Sequence, residues 1–102
     1  MIVMMENTLK PMNPETNIKP LLENDRVRVL RVTFKPGEKA ANHHHPNHVI
    51  FVINGGKLKL TVEGKTNIAD LKTGDAVFMN EQWHEVENNG DSVVDLAVVE
   101  LK

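Results

Sequence analysis

Four of the chain's five histidines crowd into "NHHHPNHVIFVINGG", residues 42–56, and the fifth, His84, lies far downstream in "NEQWHEVEN". His43 and His45 are two apart, so on an extended segment both rings point to the same side and can clasp one ion. His48 follows Pro46–Asn47, a turn pair that can rotate the chain and bring a third ring back. His84, like the first group, enters an apolar stretch after a loop. Two β-segments that each deliver histidines at their start form a ligand set suited to a first-row transition metal. The competing account is a solvated, histidine-rich turn or a polar barrel mouth without metal. Imidazoles this close repel when charged, and each buried ring nitrogen needs a partner.

The elements that must position these rings read as β-structure. "RVRVLRVTF" is rich in β-branched residues and ends in the Pro-Gly turn of "KPGEK". Its apolar positions run Val27, Val29, then Leu30, Val32 and Phe34, a phase slip that predicts a bulge near Val29–Leu30. "HVIFVI" is apolar on both parities, as in a strand buried on both faces. In "NGGKLKLTVEGK", Leu58, Leu60 and Val62 alternate with Lys57, Lys59, Thr61 and Glu63, giving one buried and one wet face. "NIADLKTGDAVFMN" and "WHEVENNGDSVVDLAVVELK" continue as strand, turn, strand. Eight to ten short strands without an amphipathic helix predict an all-β sandwich or barrel.

Residues 5–20, with several prolines and asparagines and no sustained period, read as an extended arm with a short edge strand around Ile18–Leu22, or as a tail. The domain organisation expected is an arm over residues 1–20 and a β-barrel domain over 21–102. A chain of 102 residues suits one compact core. Its twelve basic and fourteen acidic side chains are scattered, which argues against a nucleic-acid partner. With no cysteine there is no disulfide, thiolate nucleophile, zinc ribbon or iron–sulfur cluster. The apolar start "MIVMM" lacks a basic flank and is short for a signal peptide, and no stretch approaches a membrane span. A cytoplasmic protein is the expectation.

The spacing of these residues resembles the cupins. "GEKAANHHHPNHVIFVING" gives Gly37, five residues, His43-His44-His45 and a closing Gly55, similar to the first cupin motif. "GDAVFMNEQWHEVEN" gives Gly74, then His84, three residues and Asn88, similar to the second. The resemblance covers residues 21–102 and is nearest to the small single-domain, RmlC-like cupins; it implies a double-stranded β-helix, or jelly-roll barrel, with His43, His45 and His84 on metal-binding positions. The chain departs from the pattern in several ways, among them a loop before His84 that is one residue short. His48 stands where the family has a glutamate, and the loop before it is short. Asn80 replaces the proline of the second motif, and the glycine beside it is missing. A ligand role for His48 therefore rests on geometry and on imidazole being a competent substitute.

A four-histidine site favours zinc, nickel, iron, manganese or copper over magnesium or calcium, which prefer oxygen. The resemblance implies a metalloenzyme acting on a small organic molecule by dioxygenase- or isomerase-type chemistry; the alternative is a non-catalytic small-molecule or metal-binding, sensing module. The chain has no tyrosine, which sets it apart from the sugar-epimerase cupins and their His–Tyr pair. Of the remaining residues, His44 should face away from its neighbours into solvent, and Gln82 is either a group lining the mouth or loop surface. Trp83 is read as packing, with closure of the pocket or part of a dimer surface as the alternatives. Phe34, Phe51, Phe78, Met79, Val52, Leu58, Leu60 and Leu96 are the expected core. Asp95 interrupts an apolar strand and calls for an arginine among Arg26, Arg28 and Arg31. An apolar N-terminal arm and free β-edges predict a homodimer.

Overall fold

A computed structural model describes residues 17–102. Most of the proposed arm, including "MIVMM", lies outside the described residues. The described residues form nine strands: β1 (Ile18–Glu23), β2 (Val27–Phe34), β3 (Lys39–His45), β4 (His48–Asn54), β5 (Gly56–Val62), β6 (Lys65–Leu71), β7 (Ala76–Met79), β8 (Gln82–Glu87) and β9 (Val94–Leu101). No helix occurs among the described residues, and none is long and apolar enough to cross a membrane. A five-stranded antiparallel sheet, ordered β1-β2-β9-β4-β7, faces a four-stranded one ordered β3-β8-β5-β6. This is the all-β, double-stranded β-helix architecture. The expected edge strand near Ile18–Leu22 is β1.

The chain's alternation determines which side chains meet between the sheets. On the five-stranded sheet the inward set is Leu30, Val32 and Phe34 of β2, Val94, Leu96 and Val98 of β9, and Val52 of β4, all buried. Leu58 of β5, Val86 of β8 and Ala40 of β3 close on them from the other sheet. The Glu63–Gly64 turn between β5 and β6 takes positive φ at both residues (51° and 80°), the twist that suits a two-residue hairpin. At Gly55 a Cβ would lie 2.2 Å from the Leu71 carbonyl oxygen, so this crossing of chains requires glycine.

Three expectations are corrected. The bulge predicted in β2 lies instead in β1, where Leu21 is the extra residue between the pairs Pro20↔Leu30 and Leu22↔Val29. β2 itself pairs with β9 without interruption from Val27 to Phe34. Its apparent phase slip arises because the inward position before Leu30 is the charged Arg28, while Val27 and Val29 face outward. Phe51 and Phe78 do not join the core. Their register places them on the outer face of the five-stranded sheet, where they are 46% and 57% exposed. Trp83 is 59% exposed and lies beside the His44 ring on the outside of the barrel, so it is not packing.

The remaining readings of single residues agree with the fold. Phe34, Val52, Leu58 and Leu96 are buried, and Met79 and Leu60 are half-buried along the interior. Asp95 finds its arginine in Arg31, whose Nε and Nη2 donate to the two carboxylate oxygens at 2.7 and 2.5 Å. Those bonds, with a further one from Thr33, hold the Asp95 carboxyl below its ordinary range. The pair lies on the outer face, where solvent screens it and its contribution to stability is small.

Candidate metal centre

The histidines are aimed by a bulge that the sequence did not reveal. β3 and β8 pair Ala40↔Val86 and then His43↔His84, so β3 carries one extra residue across Ala41–Asn42. Without it, Ala40 and His43 would point to opposite faces. With it, Ala40 is buried and the odd-numbered His43 and His45 turn inward as well. Bulges re-aim side chains in this way near functional sites. His84, the cross-strand partner of His43, then joins them. One nitrogen from each of His43, His45 and His84 lies within 4.8 Å of the others. Their ring centroids are 4.7–5.1 Å apart.

His48 arrives from the opposite sheet. The short Pro46–Asn47 connection carries the chain from β3 into β4, so His45 and His48 end up on facing sheets with ring centroids 4.9 Å apart. His48 is 1% exposed and lines the same cavity, but it stands outside the group of three. The connection is tied to the loop before β8, because the Asn47 Oδ1 accepts the Glu81 backbone N–H at 2.8 Å.

Each of the four inward rings has its Nδ1 engaged by an acceptor. His43 Nδ1 meets the Ala41 carbonyl at 2.6 Å, His48 Nδ1 the Pro46 carbonyl at 2.7 Å, and His84 Nδ1 the Gln82 Oε1 at 3.0 Å. His45 Nδ1 bonds the Glu100 carboxylate. Since a carbonyl or carboxylate oxygen can only accept, the proton belongs on Nδ1 in every case, and every Nε2 is left with its lone pair. His43 Nε2 and His45 Nε2 are 3.0 Å apart. Two lone pairs at that distance repel unless a cation lies between or beside them. The donor set therefore fits a transition ion held by Nε2 nitrogens, with the Nδ1 side fixed as in other histidine-metal sites.

The electrostatics keep the His84 and His48 rings in the ligand form. Burial pushes the His84 pKa down to about 3, and any charge on His43, His45 or His48 lowers it further. Burial likewise lowers His48, against the opposing pull of the Pro46 carbonyl. For Glu100, burial acts upward, but the His45 hydrogen bond, the His45 and His48 rings and Arg28 outweigh it, so its carboxyl lies below the ordinary value. Arg28 Nε is 3.6 Å from Glu100. The two residues and His48 occupy one inward row of the five-stranded sheet. A charged row inside a small barrel is thereby internally compensated.

Glu100 and Arg28 were not identified from the sequence as site residues. The available signal was parity: Val94, Leu96 and Val98 point inward, so Glu100 must too. Gln82 proves to be the group that orients His84. His44 is exposed as expected, facing Glu81 at 3.5 Å. Asn88 is buried but structural: its Nδ2 donates to the Phe34 and Ser92 carbonyls, each at 2.8 Å, and its Oδ1 accepts from Gly90.

Comparison with known proteins gives the class. Residues 30–100 match the sequence model of the cupin domain, more than half of the chain, and the chain belongs to the cupin family. Its fold is similar to a cupin domain from Bordetella pertussis Tohama I, 25% identical, which covers 83% of this chain and 91% of its own, with a TM-score of 0.78. It is also similar to a conserved protein with a double-stranded β-helix domain from Klebsiella pneumoniae, at 24% identity, 95% and 85% coverage and a TM-score of 0.68. An RmlC-like cupin from Methanocaldococcus jannaschii is 20% identical, with 90% and 84% coverage and a TM-score of 0.66. No functionally curated protein matches the chain.

Proposed function

We propose that this cupin holds one divalent transition ion through the Nε2 atoms of His43, His45 and His84, with His48 as fourth ligand, and acts on a small organic molecule. The observation that carries the reading is the occupation of all four Nδ1 positions, which makes Nε2 the lone-pair nitrogen of four rings that line one cavity. Zinc, nickel, iron, manganese and copper all suit such a set. An ion there supplies Lewis acidity, and with iron, manganese or copper redox chemistry as well. The chain's part is to orient the rings: Glu100 fixes His45, Gln82 fixes His84, and backbone carbonyls fix His43 and His48. If His48 instead faces an open coordination position, its Nε2 is the group able to take or return a substrate proton. Elemental analysis of His48→Ala separates the two: loss of a fourth ligand lowers the metal content, whereas loss of a proton carrier leaves it intact.

A catalyst and a non-catalytic metal-binding module share this site. Metal analysis followed by oxygen-uptake screening with small phenols, diketones and thiols distinguishes them: uptake that depends on the bound metal supports the enzyme, and none across the panel favours the module.

A homodimer belongs to the same reading. On the outer face of the five-stranded sheet, Leu22, Val29, Val99, Val49 and Phe78 fall in one register row across all five strands. Phe51 lies beside them. In the middle of this face Arg31 and Asp95 neutralise each other, which leaves Lys19, beside Arg31 on edge strand β1, as its further charged side chain. A second copy related by two-fold symmetry matches it with an identical face. Sedimentation should give twice the chain mass, and Phe78→Glu should give the monomer. A wild-type monomer at micromolar concentration contradicts the dimer.

A further inference from the structure

The cavity beside the histidines has walls of one chemical kind. Phe34, Leu58, Leu71, Val77, Met79 and Val98 are among the aliphatic and aromatic side chains that enclose it, and among the described residues the polar side chains lining it are the four histidines. These gather at one end. On the five-stranded sheet, His48 and Met79 share the first inward row, Ile50 and Val77 the next, and Val52 and Leu96 the one after. The cavity volume is about 150 Å³; a dry apolar cavity of about that size accepts a benzene-sized guest. Val77 faces inward yet is 39% exposed, so the cavity meets solvent at edge strand β7.

We infer that the ligand is a small, mainly hydrocarbon molecule, an aromatic ring or a short branched chain, with a single oxygen or nitrogen donor directed at the histidine end. The donor head rests on the metal reading above, whereas the apolar body rests on the walls alone. A carboxylate, phosphate or ammonium placed beyond the first row would lose its water and gain no partner. Sugars and amino acids fail for the same reason: each hydroxyl buried without a partner lowers affinity roughly tenfold or more.

The test is a matched pair of probes, phenol and 4-hydroxybenzoate, titrated calorimetrically into the full chain both metal-free and loaded with Zn²⁺. Both carry the same hydroxyl, and the second adds a carboxylate across the ring, where the walls are apolar. Phenol should bind at least tenfold more tightly than 4-hydroxybenzoate in both states. Val77→Lys, a change at a partly exposed edge position, should narrow that preference at least fivefold by giving the carboxylate a counter-charge, with its melting curve showing that it is folded. Equal or tighter binding of 4-hydroxybenzoate to the wild type, or no phenol binding in either state, overturns the inference. Should Zn²⁺ fail to bind while the metal-free chain keeps its preference for phenol, the metal reading falls and the apolar ligand class stands. Metal binding without phenol binding gives the reverse.

Discussion

The barrel interior has two ends that obey different rules. At the apolar end, Phe34, Val52, Val94 and Leu96 are held by dispersion and by exclusion from water, which have no preferred direction. At the histidine end, the inward polar side chains have named partners: Arg28 to Glu100, Glu100 to His45, Gln82 to His84, and backbone carbonyls to His43 and His48. The first end tolerates changes that conserve volume. The second is set by register, and removing one member leaves another unpaired. Buried hydrocarbon is concentrated at one end and titratable groups at the other, so mutations should separate their effects.

The largest expected effect lies at the apolar end. Phe34→Ala should cost about 3–5 kcal/mol of stability, measured by denaturant unfolding, while each molecule that remains folded binds metal as before. Equal destabilisation with loss of metal from the folded fraction would mean that the two ends are not separable.

The next effect is a dependence on pH that comes from the histidine end. The His84 pKa in the folded metal-free chain, about 3, lies below the unfolded value of about 6.5. Between those values the unfolded chain takes up a proton that the folded chain refuses, so stability should be whole above about pH 6.5 and fall as the pH drops toward 3. The slope should be at most about 1.4 kcal/mol per pH unit for this one group. Glu100, also held below its ordinary value, adds loss of the same sign further into acid. His84→Gln should flatten the curve between pH 6.5 and 4; an unchanged slope would assign the acid sensitivity elsewhere.

A smaller effect is expected from Glu100→Gln, which keeps shape and a hydrogen-bond acceptor but removes the charge behind His45. Metal affinity should fall roughly 10–100-fold, read by competition with a chelator, while His45 stays in place. Smallest of all is His44→Ala: that ring faces outward beside Trp83, and metal affinity should not change measurably. A loss comparable with that of Glu100→Gln would indicate that β3 presents its other face to the ion.

Much of this division was legible in the sequence because period-two alternation is a strong signal. The strand rhythm of "KLKLTVEGK" and "SVVDLAVVELK" gave the all-β class, and the His-x-His pair with a distant histidine gave the three clustered rings. Asp95 within an apolar run pointed to an arginine, and Arg31 supplies it. What the sequence hid were events that change parity or depend on strands distant in sequence. The extra residue at Ala41–Asn42, which turns His43 and His45 inward, leaves no compositional trace. Arg28 breaks the apolar phase of β2, and its pairing with Glu100 opposite follows only once β2 and β9 are known to be neighbours. Phe51, Phe78 and Trp83 were expected to be buried because aromatic residues favour strands, but that preference does not say which face of the sheet they occupy.

The most direct test of the metal centre is the metal content of the purified chain, measured at neutral pH by elemental analysis beside His45→Ala and His84→Ala, with folding checked by circular dichroism. The account predicts about one transition ion per wild-type chain and loss of most of it in both variants, since each deletes one of three converging Nε2 donors. Equal metal content in all three proteins would contradict it and leave the histidines as a hydrogen-bonded polar end to an otherwise apolar barrel.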